Sequence, residues 1–151
     1  MRAVDPILSR LKQTRRDDPI FGSMLYMGDG LRYWEGKAAF TPTASTIEVF
    51  VDGSADDSME QQHKFFRRIL QEWPTLGETV GRFLLEQWHQ GESGIRVESP
   101  WAWFRISSLC IPNGEIDDAT WEISFAIPSD LNHLWTVHMK GLLPERLILD
   151  D

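Results

Sequence analysis

Four histidines, one cysteine and a few paired carboxylates are the side chains of this 151-residue sequence whose spacing could do chemistry. His63 is the most unusual of them. It sits on an apolar stripe of Met59, His63, Phe66, Leu70 and Trp73 at helical spacing. A histidine there has two readings. It is a half-buried core residue with a hydrogen-bond partner, or it lines a pocket as a ligand or general base. The second reading needs a carboxylate or second histidine brought near by the fold. His133 and His138 lie five apart in a strand-like run, so they face opposite sides of a sheet and cannot share a metal. His138 keeps parity with the polar Thr136 and Lys140, while His133 opens the run near a turn. His89 falls in the last turn of a helix, where partial positive charge is favourable.

Cys110, embedded in "SSLCIP", reads as a small core hydrophobe. Ser107 and Ser108 lack a G-x-S-x-G elbow. Asp117-Asp118 and Asp150-Asp151 are adjacent pairs that point apart in a turn or tail. The acidic loop "VDGSADDSMEQQHK" does not place its aspartates as an EF-hand does, and helix capping accounts for Asp56, Asp57 and Glu60. Gly28-Asp29-Gly30 is followed by a strand instead of the helix that a phosphate loop requires. No catalytic residue, metal site or cofactor is assigned. Trp101 and Trp103, at a strand start after a glycine-containing loop, are candidates for a binding surface together with His133 and His138. Alternatively, the two tryptophans cap the hydrophobic edge of a sheet.

The elements that must position these groups can be read from period and punctuation. Asp5-Pro6 starts a short N-terminal helix that "RRDDP" ends. "IFGSMLYM" and "LRYWEGKAAF" form a hairpin around Gly28-Asp29-Gly30, with a type I′ turn, and "TIEVFVD" follows as a third strand. The period then changes to 3.6. Asp57 and Glu60 make a capping-box start, Pro74 breaks the helix, and Thr75–Glu78 caps a second helix that Gly91 ends. "WAWFRISSLCI", "TWEISFAI" and "HLWTVHMK" are three more strands. The order βββ-αα-βββ predicts an α+β fold: a mainly antiparallel sheet of about six strands with two helices packed on one face and a short N-terminal helix. Residues 1–18 read as a basic helix or arm, 19–141 as the core of a single domain over 1–151, and 142–151 as an apolar C-terminal tail. That tail is tied down as an edge strand or against a partner.

Composition narrows the function classes. Forty-two per cent hydrophobic and 25% charged residues indicate a folded chain. Apolar runs fall short of the roughly 20 residues that cross a membrane, and the start lacks a signal peptide's apolar region. With one cysteine, a cytoplasmic location is expected. Residues 1–16 carry five basic side chains against Asp5, whereas the rest is strongly acidic, for a net charge of −8. An acidic body repels phosphate backbones, so nucleic acid is not an expected partner.

Phe21-Gly22, Trp34-Glu35-Gly36, and the later Asp130, His133 and Val137 form a spaced pattern over roughly residues 20–141. The pattern resembles bacterial domains placed among candidate immunity proteins of polymorphic toxin systems. Leu134 stands where that pattern has a glycine after the histidine. The resemblance implies an α+β domain and a protein partner. The first expectation for function is therefore a small non-enzymatic protein-binding domain of the toxin-neutralising kind, whose acidic surface suits a basic toxin. The alternatives are a small-ligand binder or enzyme with a pocket near His63 or His133, and a structural domain that forms a homodimer through an edge strand or its tail.

Overall fold

The computed structural model describes residues 14–28, 30–91 and 94–150. Of the expected N-terminal basic helix or arm over 1–18, residues 1–13 lie outside them, and Arg15–Asp18 is a strand and not helix. The described residues are α+β, with one eight-stranded sheet, one long α-helix and one short α-helix. Strands β1 (Arg15–Asp18), β2 (Gly22–Met27), β3 (Tyr33–Phe40) and β4 (Ser45–Asp52) run as an antiparallel meander. Helix α1 (Glu60–Gln90) and the one-turn helix α2 (Pro100–Trp103) follow. A second meander completes the sheet: β5 (Arg105–Ile111), β6 (Thr120–Ile127), β7 (Asp130–Lys140) and β8 (Leu143–Asp150). Spatial order follows chain order. The two meanders join through the one parallel pair among the described strands, β4 with β5. Parallel neighbours need a long crossover, and α1 supplies it.

Alternation builds the core. Trp34, Ala38 and Phe40 from β3 and Ile47, Val49 and Val51 from β4 are buried on the face that meets the helices. Leu109, Ile111, Trp121, Ile123, Phe125, Val137 and Met139 continue this face across the second meander. From α1, Phe65, Phe66, Ile69, Trp73, Leu76, Val80 and Leu84 close over it. Aromatic pairs lock the layers: Phe65 on Trp121 at 5.5 Å, Phe40 on Trp73 at 4.9 Å, and Trp101 on Phe125 at 5.7 Å between ring centres.

The six expected strands become eight. Both additions are sheet edges, and in β1 the all-charged sequence hides the alternation. In β1, Arg16 turns inward, bonds the Ala55 and Asp57 carbonyls, and lies 4.8 Å over the Trp34 ring. Asp18 turns the same way. The tail expected over 142–151 supplies β8. The two expected helices are one. Pro74 lies inside α1 although its missing N–H and ring clash cost about 3 kcal/mol, because the buried stripe on both sides offsets that loss. Gly91 ends the helix as expected, but the N-terminal capping box does not form: Met59 is the N-cap, without a side-chain bond, and Asp57 instead accepts the Ser54 N–H at 2.9 Å. That bond holds the Asp57 carboxyl below the usual carboxylate range.

The β2–β3 hairpin has a longer loop than expected. Met27 pairs with Tyr33, so the connection is longer than a two-residue turn, and among its described residues Gly30 and Arg32 have positive φ angles. The Trp34-Glu35-Gly36 segment is explained by a close approach. A Cβ on Gly36 would lie 2.5 Å from the Phe21 carbonyl oxygen, which accepts the Lys37 N–H at 3.0 Å. Phe21 and Trp34 are themselves fully buried.

Candidate functional site

His63 finds the carboxylate that a catalytic reading needs, but the pair is occupied with architecture. Its Nε2 lies 2.7 Å from Asp18 Oδ2, and the Phe21 ring packs 5.3 Å from the imidazole. Asp18 Oδ1 also accepts the Ile20 and Phe21 N–H groups, both at 2.8 Å. One nearly buried carboxylate thus closes the β1–β2 turn and pins it to α1. No cavity wall includes either side chain among the cavities described below.

His133 and His138 each meet a different acid. His133 Nδ1 is 2.6 Å from Asp130 Oδ2 at the start of β7. His138 Nε2 is 3.3 Å from Glu122 Oε1 on β6. His89 lies in the last turn of α1, and its Nε2 accepts the Val97 N–H at 3.2 Å. Trp101 and Trp103 start no strand; they form α2 and pack half-buried against the core. Trp103 stacks on Trp88 at 5.4 Å, and Trp101 on Trp73 at 5.7 Å. Pro100 and Trp101 lean on Gly81 of α1, where a Cβ would meet them at 2.7 and 3.2 Å.

Cys110 is not the core residue that its sequence context suggests. The strand register aligns Leu25, Glu35, Phe50, Cys110, Glu122, His138 and Arg146 in one row across seven strands, on the face opposite the helices. Cys110 Sγ lies 3.8 Å from Glu122 Oε2. A cavity of about 320 Å³ beside it is lined by Asp52, Cys110, Pro112, Trp121, Glu122 and His138. Burial, then the charges of Glu122 and Asp52, push the thiol up to about 12. A nucleophilic cysteine needs the opposite, a thiolate stabilised by nearby positive charge. This thiol stays protonated.

The same face carries a half-buried aromatic among acids. Phe50, half-buried, has Glu35 opposite it and Glu48 and Asp52 on either side along its own strand. The Tyr33 ring meets its edge at 6.2 Å, and Tyr33 leans its hydroxyl toward Glu35 at 3.4 Å. Burial, followed by the charge of Glu35, raises the Tyr33 pKa above that of an ordinary tyrosine. Next along the strands, Ser124 and Thr136 share a hydroxyl hydrogen bond of 2.9 Å. A larger groove of about 960 Å³ runs along the first turns of α1 against the β5–β6 turn. Its charges largely satisfy one another: Arg68 reaches Glu72 at 3.1 Å and Asp117 at 3.3 Å.

Among the described residues, no group of three or more histidine, cysteine or acidic side chains could hold a metal ion. None of their helices is long and apolar enough to cross a membrane. Neither the row centred on Phe50 nor the burial of Arg16 and Asp18 was read from the sequence. Their signal lies in strand register, which only a correct pairing of β3, β4 and β5 exposes. Comparison with models of protein families, with curated proteins and with solved structures finds no match.

Proposed function

We propose that this chain is a non-enzymatic protein-binding domain whose open sheet face receives a basic protein surface, in the manner of a toxin-neutralising partner. The observation that carries this reading is Phe50, an aromatic left half-open on a sheet and bracketed by Glu35, Glu48 and Asp52. An aromatic ring amid carboxylates suits arginine and lysine. The ring takes the aliphatic stem and attracts the cation, while the acids pair with the charged head. The net charge of −8 steers a basic partner toward the protein. The protonated thiol and the structural role of His63 argue against the enzyme alternative.

The test is co-expression with each reading frame adjacent to the gene, scored by growth. Rescue from a basic toxin is expected, together with a direct complex of the two purified proteins. Phe50→Glu and the double change Glu35→Lys with Glu48→Lys should abolish both, with the domain still folded. Rescue that survives both substitutions would move the contact elsewhere, and no neutralised neighbour at all would overturn the reading.

A further inference from the structure

The two edges of the sheet are built differently. β1 has four residues, all charged, which makes a blunt edge. β8 has eight, and among the described residues it ends the sheet with no strand on its outer side. It also carries Leu143, Ile148 and Leu149, three of the six exposed large hydrophobic side chains among the described residues, with Leu149 half exposed. A long apolar edge presenting open backbone N–H and C=O groups is a template for another strand.

The sequence of β8 specifies which strand. Arg146-Leu147-Ile148-Leu149-Asp150 is complementary to itself when read backwards. Side chains alternate between faces, so an antiparallel partner related by a two-fold axis must keep parity, and allowed registers differ by two residues. Among these, the register centred on Ile148 sets Ile148 against Ile148 of the second copy and Leu147 against Leu149. It also sets Arg146 against Asp150, twice by symmetry. The pairing of β8 with β7 places Arg146, Ile148 and Asp150 on the open face and Leu147 and Leu149 on the helix face. Neither Arg146 nor Asp150 has an ion-pair partner among the described residues.

We infer that two copies of this chain join through antiparallel pairing of their β8 strands, centred on Ile148, into one continuous sixteen-stranded sheet. The contact is isologous, and it closes with two copies because each has one such edge. This inference goes beyond the partner-binding reading and does not depend on it, since Phe50 lies several strands away on β4.

Light scattering and sedimentation of the full chain over a wide concentration range provide the test. The parent is expected to dimerise. Arg146→Asp and Asp150→Arg each oppose like charges twice across the two-fold axis, and each should weaken the dimer by roughly tenfold or more. The double variant restores both pairs with their signs exchanged and should recover it. Ile148→Lys, at a position already partly exposed, should give a folded monomer whose melting curve checks the fold independently. A parent that stays monomeric at high concentration overturns the inference. So does a dimer indifferent to Ile148→Lys, or a double variant no tighter than the single ones.

Discussion

At the residue scale, environment decides what each ionisable group can do. His63 and Asp18 have the composition of a catalytic pair, yet Asp18 divides its oxygens between two backbone amides and the imidazole. Cys110 shows the same logic in reverse. It lies on an open face, but burial and two carboxylates keep it protonated to about pH 12, whereas a thiol in an unfolded chain titrates near 8.5. The sign follows directly. Below the unfolded value both states hold the proton, and between the two values only the unfolded state releases it. Stability that is intact below about pH 8.5 is therefore lost as pH rises toward 12. Urea midpoints measured from pH 8 to 11 should fall more steeply for the parent than for Cys110→Ser. Parallel curves for the two would show that the thiol does not contribute.

At the element scale, local punctuation was legible and its tertiary override was not. The six strands read from alternation are all present, because half-buried strands write their burial into every second residue. β1 escaped notice because Arg16 and Asp18 point inward to specific partners, which reverses the expected polarity. Pro74 was read as a stop, since that is what the residue does in isolation. In the fold, Trp73, Leu76 and Val80 continue one buried stripe past it, so packing holds the helix together. Gly81 of α1 also has a reason that appears only in contact: Pro100 and Trp101 occupy the space of its missing side chain. In an isolated helix, Gly→Ala stabilises by about 1 kcal/mol. Here the added methyl group must push α2 away, and overpacking of that kind costs about 1–3 kcal/mol. Gly81→Ala should therefore lower the urea midpoint, with altered tryptophan fluorescence from the Trp73–Trp101 pair. A more stable variant would show that α2 yields freely.

At the scale of the whole molecule, the fold is two four-stranded meanders joined by a helix that also roofs them. Phe40 from the first meander and Trp121 from the second both pack against α1, through Trp73 and Phe65. One core cluster includes buried residues of both halves. The two meanders should therefore unfold together, with far-ultraviolet circular dichroism and tryptophan fluorescence giving coincident urea transitions. Separate transitions would mean that the parallel β4–β5 seam and the helix do not couple the halves.

The amino-acid sequence by itself determined the α+β class, the presence of six strands though not all of their bounds, the helical stretch after β4 and the acidic character of the body. Each of these depends on local period, turn chemistry or composition, which the chain carries wherever it folds. Tertiary structure alone decided that the helix runs through Pro74, that the all-charged segment Arg15–Asp18 closes one edge of the sheet, and that Phe50 stands among three carboxylates. It also decided that Cys110, read as core, belongs to the open face. The physical reason is that these features depend on register and on contacts between residues distant in sequence. A side chain's burial, partner and charge state are properties of the surface that it meets, and that surface exists only once β4 and β5 lie side by side.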